Sequence, residues 1–465
     1  MSDERRQPES EPSRQASPYV SPPHSAEHPT KVRYFIIGVS VLMAFSLYLN
    51  RVCLGEIVKT DQFLNDVKLS KDEIGRILGA FFFTYALFQV PAGWVSDRFG
   101  ARRMLAGYIL VWSLLTGLTG LMSSSLGLLL ARLIFGVAQA GAYPTSAAIV
   151  RRWVGANHRG RASSLVSFGG RSGGMVAPTL TALCVIYLGG WRQTLWLYGI
   201  FGVAIAALYW WVVRERPSEH PRCNQAERDL IGRPVDDRPP ELSEILPMLK
   251  ACCLSTSLWL NSVAQFCVNV GWAFLITWLP TYLKESKGVS DRDGAIMVSI
   301  VLAQGMLGQL LGGVATDWSV RTFGLRRGRI LPISCACMIA GIAYISCLGI
   351  DSVWGVVGCC AVVSLMTDVG NPSIWAFMQD VGGRNTAAIH GWANMWGNFG
   401  AALSSIMVPW LMKLGEGTAE QEGMGNGLVF IACGGAFFLA GFAALGMDAT
   451  RPLTVVQRPI GTEKK

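Results

Sequence analysis

Arg51 places a cation near the end of an apolar run. The segment SLYLNRVCLGEIV begins at Ser46, and residues 34–50 before the arginine carry no charge. A charged side chain at the centre of a bilayer costs from ~3 to more than 10 kcal/mol. A guanidinium that faces a water-filled cavity presents a fork of donors matched to a carboxylate. Arg51 is therefore predicted to hold an acid group, and an arginine that reaches back to the membrane surface is the alternative.

Two further arginines lie in apolar stretches. Arg132 and Gln139 are spaced by two helical turns, which places them on one face of a helix. Arg171 lies between glycines in GGRSGG, where a neighbouring helix or a ligand can come close. We add these residues to the predicted anion site. The alternative for Arg171 is a structural pair with Asp368 or with the C-terminus of a helix.

Amide and aromatic residues in the same stretches suit a polyhydroxylated acid. Tyr and Trp combine a flat apolar face with one hydrogen-bond donor. The candidates are Tyr48, Asn50, Tyr85, Asn269, Trp272, Trp375, Asn394 and Asn398. Packing between helices is the alternative role for each of them.

Two acidic residues, Glu56 and Asp368, lie in or close to apolar stretches. A carboxyl group that is desolvated among helices takes up a proton more readily than one in water. Both residues are therefore candidates for coupling transport to an ion. Structural pairing with an arginine is the alternative for both.

Membrane helices are the elements that must position these side chains. The 465 residues are 51% hydrophobic and 15% charged, whereas roughly a quarter of the residues of soluble domains are charged. Uncharged windows near or above the ~18 residues of a membrane span cover residues 77–96, 104–131, 133–150, 172–191, 193–213, 251–283, 295–316, 330–350, 385–412 and 423–447. With the Arg51 segment and residues 352–379, which Asp368 interrupts, they predict twelve transmembrane helices.

Arginines in short loops predict the orientation of these spans. They follow the second span (Arg98, Arg102, Arg103), the fourth (Arg151, Arg152, Arg159, Arg161), the eighth (Arg321, Arg326, Arg327, Arg329) and the tenth (Arg384). Because cytoplasmic loops carry the excess of Lys and Arg, both termini are predicted to be cytoplasmic. The predicted domains are a disordered cytosolic tail (1–30), a six-helix bundle (31–214), a polar cytoplasmic linker (215–250), a second six-helix bundle (251–447) and a cytosolic tail (448–465).

The two predicted halves carry matching sequence features. GWVSDRFGARR from Gly93 and GGVATDWSVRTFGLRR from Gly312 both end a span with glycine, Asp and Arg, so that Asp97 and Asp317 correspond. Likewise, Arg171 in GGRSGG corresponds to Asn398 in GNFG. Two parallel six-helix repeats with a binding site between them are typical of secondary transporters.

The residues around Asp97 predict a conformational latch. An Asp at a helix end can pair with basic loop residues in one conformer and separate from them in another. The latch candidates are Asp97, Arg98, Arg102, Arg103 and Asp317. A solvated cluster of interfacial charges is the alternative.

GWVSDRFGARR resembles the signature loop of the major facilitator superfamily. More specifically, the chain resembles its anion:cation symporter family in YLNR, RLIFGVAQAGAYPT, RRWVGANHRGRASS, RERPSEHPRCNQAERDLI, TWLPTYL and WAFMQDVGGRN with GWANMWGNFG, in that order. That family includes bacterial galactonate, glucarate and hexuronate permeases and the animal sialic acid and vesicular glutamate carriers. The resemblance implies an all-α membrane protein of two pseudo-symmetric six-helix bundles. It also implies that Arg51 anchors the substrate, and it favours Tyr85 and Asn394, which lie in cavity-facing helices of the family.

Three positions depart from that family. The residue before the first-span arginine is usually Asp, and the position of Gln139 usually holds a Glu that takes up a proton, whereas this chain has Asn50 and Gln139. Neither amide can titrate. Arg171 stands where an amide is expected. A cavity that lacks two negative charges and gains a positive one suits a dianion.

The predicted function is secondary transport of a small organic anion, a sugar acid or another carboxylate, by alternating access. Anion exchange or facilitated flux is the predicted mode; the alternatives are a proton- or sodium-coupled symporter that uses Asp368, and a membrane sensor that binds the anion without moving it. The predicted partners are the anion, the lipid bilayer, and a proton, sodium ion or counter-anion, but no nucleic acid. The protein is predicted to be a monomer in the cell (inner or plasma) membrane.

Enzymatic chemistry is not predicted. The sequence contains no HExxH motif and no GxSxG nucleophile set with its partners, and its 12 cysteines have no metal-like spacing. We therefore predict no catalytic residue, cofactor or metal site.

Overall fold

The computed structural model describes residues 28–232, 238–414 and 419–453. Within these ranges the protein consists of helices and connecting turns, with no β-strand. Most of the predicted disordered tail, residues 1–27, lies outside the described residues, and so do residues 454–465 of the C-terminal tail.

The first half of the chain forms nine helices. They are α1 (Val32–Ile57), α2 (Asp61–Val67), α3 (Lys71–Leu87), α4 (Gln89–Phe99), α5 (Ala101–Thr119), α6 (Ser125–Ala140), α7 (Ala142–Trp153), α8 (Arg159–Tyr187) and α9 (Trp191–Val212). Helices α3 and α4 are two arms of a pair that is bent by 52°. Helices α6 and α7 follow one another across Gly141.

The second half begins after two linker helices. These are α10 (Gln225–Ile231) and α11 (Ile245–Leu254), and they are followed by α12 (Thr256–Ala273), a π-helical turn, α13 (Leu279–Glu285), α14 (Asp291–Ser346), α15 (Val353–Gly382), α16 (Thr386–Lys413) and α17 (Ala419–Leu445). Helix α14 has 56 residues and contains Gly324 at φ 78°, a left-handed conformation that glycine tolerates. It therefore consists of two helices joined at a kink.

The helices have the length and composition of membrane spans. Seven helical stretches among the described residues can cross a bilayer, or eight when the α3–α4 pair counts as one span. Two of them, Arg292–Gly349 and Val353–Lys413, contain 58 and 61 residues, whereas one crossing takes ~20. The all-helical membrane architecture is therefore confirmed, while the number of twelve spans stays a prediction.

The outer surface is apolar in a way that suits lipid. Large side chains such as Phe83, Ile186, Trp211 and Ile406 are exposed. A soluble monomer rarely exposes so much contiguous apolar surface. These faces are therefore the ones that meet the bilayer.

Helices of the two halves meet closely at two glycines. A Cβ on Gly93 of α4 would lie 2.4 Å from the backbone oxygen of Ala387, and a Cβ on Gly391 of α16 would lie 2.3 Å from that of Gln89. Only glycine permits this approach of α4 to α16. The contact places Asp97, at the end of α4, beside the start of α16.

The linker is docked onto the start of the first span. The Glu227 carboxylate of α10 is fully buried and accepts hydrogen bonds from the backbone N–H groups of Val32 (3.2 Å) and Arg33 (3.1 Å). Asn224 Oδ1 accepts one from the N–H of Thr30 at 3.1 Å. A carboxylate stabilises the free N–H groups at a helix N-terminus. The NQAERDLI segment thereby holds the beginning of α1.

Candidate anion site between the two halves

Arg51 lies in an aromatic cage. Its guanidinium carbon is 4.7 Å from the ring centroid of Tyr48, 5.1 Å from that of Phe81 and 4.4 Å from that of Tyr85. Its Nε donates to Gln139 Oε1 at 3.0 Å, and its Nη2 is buried without a hydrogen-bond partner. Within the described ranges no carboxylate pairs with it. The cage thus holds a positive charge with an unused donor, which is what an anion binds.

Gln139 holds the Arg51 side chain in place through a hydrogen bond to its Nε. It is fully buried, and its Nε2 donates to the backbone oxygen of Leu47 at 3.0 Å while its Oε1 accepts from Arg51. A neutral amide can donate and accept at once, whereas a carboxylate only accepts. Gln139 therefore orients the arginine and leaves its charge uncompensated.

Asn50 turns toward its own helix. Its Nδ2 donates to the backbone oxygen of Ser46 at 2.8 Å, and its buried Oδ1 has no partner among the described residues. Asn50 lies one residue before Arg51, yet it does not bond to that side chain. Its amide adds no charge to the site.

Arg132 is a buried arginine that, like Arg51, has no acidic partner in the described part of the chain. Its side chain is 5% exposed, its Nε has no hydrogen-bond partner, and its guanidinium carbon lies 5.0 Å from the ring of Phe135. The rings that surround Arg51 are different ones. Arg132 therefore contributes a separate positive charge on α6.

Arg171 and Asp368 form an ion pair between the two halves. Arg171 Nη2 on α8 lies 2.6 Å from Asp368 Oδ1 on α15, and the guanidinium carbon is 4.7 Å from the ring of Trp272. The side chains are 23% and 3% exposed. This is the structural pairing that the sequence raised as the alternative for Arg171. It gives Arg171 the counter-charge that Arg51 lacks.

Tyr143 packs between Tyr48 and Trp375, and sequence reasoning missed it. Its ring centroid is 6.3 Å from that of Tyr48 and 5.0 Å from that of Trp375. A Cβ on Gly170, next to Arg171, would lie 2.1 Å from the Tyr143 hydroxyl oxygen. The available signal was its spacing, because residue i+4 from Gln139 lies on the same helical face.

His390 extends this aromatic row into α16. Its ring centroid lies 5.0 Å from that of Trp375, and neither of its buried ring nitrogens has a hydrogen-bond partner among the described residues. A histidine inside an otherwise uncharged span was the signal that could have found it.

The other predicted asparagines, Asn269, Asn394 and Asn398, lie on the second half of the chain, and the side chains of Asn269 and Asn398 bond to their own helices. Asn269 Nδ2 donates to the backbone oxygen of Gln265, and Asn398 Nδ2 donates to that of Asn394, both at 2.8 Å. A Cβ on Gly397 would lie 2.8 Å from Asn269 Nδ2, so α12 and α16 meet at these amides. The contacts of these amides are therefore with C-terminal helices and not with the Arg51 cage.

Glu56 lies at the mouth of a cavity. Its carboxylate pairs with Lys59 Nζ at 2.9 Å, so the arginine expected as its structural partner is replaced by a lysine one helical turn away. Both residues line a cavity of about 510 Å³ together with Pro280, Lys284 and Ser290. A second cavity of about 450 Å³ lies between Met175 of α8 and residues 295–303 of α14. At this end, called here the Glu56 end, space separates the two halves.

The opposite end is closed by two aspartates. The buried Asp97 carboxylate accepts hydrogen bonds from the backbone N–H groups of Ala387 (3.1 Å) and Ala388 (2.8 Å) at the start of α16. Asp317 accepts them from Gly160 (2.9 Å) and Arg161 (3.1 Å) at the start of α8. Each aspartate thus caps a helix of the other half, where free N–H groups and the helix dipole favour an anion.

The basic residues near Asp97 have other partners than the sequence suggested. Arg98 Nη1 donates to the backbone oxygen of Pro240 at 2.9 Å, Arg102 Nη2 donates to that of Trp210 at 2.7 Å, and Arg103 is exposed. In this conformer Asp97 is separated from its own loop arginines, which is one of the two states of the predicted latch, so the latch stays a prediction. A buried helix N-terminus offers the carboxylate two aligned donors, whereas the loop arginines reach backbone oxygens or solvent.

A charged cluster strengthens the closed end. Asp380 Oδ1 lies 2.5 Å from Arg159 Nη1 of the first half, and its Oδ2 lies 2.7 Å from Arg329 Nε of the second half. Arg329 is fully buried. Sequence reasoning counted both arginines only as orientation signals and missed Asp380, because a partner far away in sequence is invisible in a single chain.

Comparison with known proteins identifies the family to which this architecture belongs. The model of the Major Facilitator Superfamily matches residues 40–405. A probable sulfoacetate transporter from Cupriavidus necator is 30% identical over 311 residues, which cover 66% of this chain and 70% of that protein. A probable galactarate/D-glucarate transporter from Escherichia coli is 27% identical over 352 residues, covering 72% and 76%.

A solved structure shares the fold. The structure of a proton:xylose symporter bound to 6-bromo-6-deoxy-D-glucose superimposes with a TM-score of 0.64 at 16% identity, covering 88% of this chain and 94% of that one. At this identity the likeness is one of fold alone.

Proposed function

The chain belongs to the Major Facilitator Superfamily, and from this premise we propose that it carries small organic dianions across the membrane by alternating access. It is a multi-pass protein of the cell membrane and a transporter, not an enzyme; its curated relatives are transporters of organic anions. The identity of the anion, the coupling and the roles of single residues make up the proposal.

The observation that carries the proposal is the state of Arg51. A half-buried arginine held by three aromatic rings and an amide, with its Nη2 buried and no carboxylate beside it in the described structure, is incomplete without an anion. An uncompensated buried charge is costly, and a bound acid group removes that cost. The rings of Tyr48 and Tyr85 suit the carbon chain of such a ligand.

Two acid groups fit the cleft better than one. Arg51 of α1 lies against the ring of Tyr48, which packs on Tyr143, and Gly170 of α8, the residue before Arg171, lies against both rings. The two relatives named above are probable transporters of sulfoacetate and of galactarate/D-glucarate, and each of these compounds bears two acid groups. A dianion that places one group at each arginine is therefore the proposed substrate class.

The proposed architecture has twelve crossings in two bundles, residues 31–214 and 251–447, with linker 215–250 and both termini in the cytoplasm. The helical stretches of 58 and 61 residues support this number, since each is long enough for two crossings and a turn. Cavities at the Glu56 end and the caps of Asp97 and Asp317 at the other support a state that is open on one side only. We assign the latch role to these two aspartates.

Exchange of one anion for another is the proposed coupling mode. Asn50 and Gln139 cannot take up protons, and an empty cleft in which Arg51 has no counter-charge is costly to close. The competing modes are symport with a proton or sodium ion at Asp368, and binding without transport in a sensor.

Purified protein in proteoliposomes tests the proposal. We expect labelled galactarate or sulfoacetate to enter vesicles that are loaded with unlabelled dianion, and neutral D-galactose to stay outside. Flux without internal anion, driven by a proton or sodium gradient, would favour symport. Binding without any flux would favour the sensor, and neither binding nor flux of any acid would refute the proposal.

A further inference from the structure

The Asp368 carboxylate is closely packed between Gly305 and its ion-pair partner Arg171. A Cβ on Gly305 of α14 would lie 2.4 Å from Asp368 Oδ2, so the absence of a side chain at Gly305 makes room for the carboxylate. Its other oxygen lies 2.6 Å from Arg171 Nη2. The carboxylate is thus enclosed between α8 of the first half and α14 of the second. The pair is a tie across the cleft.

A second position for this carboxylate lies one helical turn away. Gln309 follows Gly305 by four residues, on the same face of α14. Its Nε2 is buried without a hydrogen-bond partner in the described structure, while its Oε1 accepts from Asn371 Nδ2 of α15 at 3.3 Å. Residues 368 and 371 share a face of α15 in the same way. Gln309 Nε2 can therefore donate to the Asp368 carboxylate at the α14–α15 interface when that carboxylate leaves Arg171.

We propose that Asp368 is a built-in competitor anion, which the second acid group of a dianionic substrate displaces from Arg171 onto Gln309. This inference rests on the function proposed above and adds the step that selects the substrate. Arg171 stays neutralised throughout, because one anion replaces another. The tie between the halves breaks only when the cleft is filled.

A monoanion does not break the Arg171–Asp368 ion pair. Its single acid group occupies Arg51, and Arg171 keeps Asp368, so the tie persists. Monoanions therefore bind but are moved slowly, whereas dianions bind and release the halves. Selectivity resides in turnover as well as in affinity.

Galactarate and D-galactonate are matched probes, since they differ by a carboxylate in place of a terminal CH₂OH group. With Asp368→Asn, the galactarate affinity of the purified protein is expected to rise about tenfold, which corresponds to about 1.4 kcal/mol. The ratio of galactarate to D-galactonate exchange rates is expected to fall by a similar factor, because the tie is already absent. Asp61→Asn, the same change at an exposed residue of α2, is the control and leaves the galactarate affinity and the exchange-rate ratio unchanged.

Two further variants separate this device from a structural role. Gly305→Ala keeps every charge but pushes the carboxylate out of its place, so it is expected to lower the exchange-rate ratio as Asp368→Asn does. Arg171→Gln combined with Asp368→Asn removes both charges; exchange persists, and the preference for galactarate disappears. This double variant also replaces Asp368→Asn if the single variant does not fold.

The outcomes distinguish the two proposals. If the wild-type protein exchanges galactarate and both Asp368→Asn and Gly305→Ala leave the affinity and rate ratios unchanged, the competitor role is overturned and the transport function stands. If the wild-type protein neither binds nor exchanges either acid, both proposals fall together.

Discussion

Arg51 and Arg171 are the same residue type in the same cleft, but their surroundings differ in charge. Arg51 is held by Gln139 and aromatic rings without a carboxylate, while Arg171 is paired with Asp368 across the two halves. Rings and an amide hold an arginine in place and leave its charge available. A carboxylate holds it and also competes with any ligand. The first arrangement suits an anchor, and the second suits a switch.

Removal of the anchor is expected to have the largest effect. Arg51→Ala should abolish binding and exchange of galactarate, because no other cation occupies the aromatic cage. Arg51→Lys keeps the charge but loses the planar fork, so binding should weaken by about 1 to 3 kcal/mol. Equilibrium binding and proteoliposome exchange measure both effects. Wild-type transport by Arg51→Ala would show that the anchor lies elsewhere.

Gln139→Glu would give Arg51 a carboxylate partner like the one that Arg171 has in Asp368. The new carboxylate would pair with Arg51 and compete with the substrate, so the dissociation constant for galactarate should rise about tenfold at neutral pH, which is about 1.4 kcal/mol. Protonation of that carboxyl at lower pH removes the competitor, and affinity should recover as the pH falls. Titration of binding against pH checks both the direction and the size. Gln225→Glu, on the linker, is the matched control, and a pH-independent loss of affinity would contradict this explanation.

The driving force of uptake tests whether the carboxylate beside Arg171 takes part in coupling. The residues around Arg51 include no carboxyl group that could take up a proton. Internal counter-anion is expected to stimulate galactarate uptake severalfold more than an inward-directed proton gradient does. Parallel uptake curves in vesicles with each gradient imposed separately measure this difference. Strong concentrative uptake driven by protons alone, and lost in Asp368→Asn, would instead assign coupling to α15.

The smallest effect on binding is expected far from both arginines. Asp97→Asn keeps one acceptor for the N–H groups of Ala387 and Ala388 but loses the negative charge at the start of α16, a change of about 1 kcal/mol. Equilibrium affinity for galactarate should stay nearly intact while exchange slows, since the residue acts on the conformational change. Asp317→Asn is the counterpart in the other half. A large loss of affinity with unchanged exchange would contradict the latch.

The linker makes a contact with the start of α1 that could not be predicted from its sequence. The polar stretch after α9 was expected to be a cytoplasmic connection between bundles, and residues 233–237 of it lie outside the described part. Its Glu227 looks like an ordinary surface charge in NQAERDLI. In the folded protein it is fully buried at the start of α1, because the free N–H groups of that helix need an acceptor.

Features that depend on composition and on neighbours along the chain could be predicted from the sequence. Long uncharged windows predict membrane helices, because a helix satisfies its own backbone groups where a bilayer offers them no partner. The isolated Arg51, the amides Asn50 and Gln139 and the paired Asp97 and Asp317 motifs were all readable in this way. From these features came the transporter class, the predicted anchor and the two-half organisation.

Only the tertiary structure decided which charges meet. Arg171 was compatible with a ligand or with Asp368, and Asp97 was compatible with its own loop or with a distant helix. The outcome depends on helix crossings such as that of α4 with α16, which bring residues far apart in the chain within hydrogen-bond distance. In a low-dielectric interior such contacts dominate the electrostatic energy, and no local pattern in one sequence encodes them.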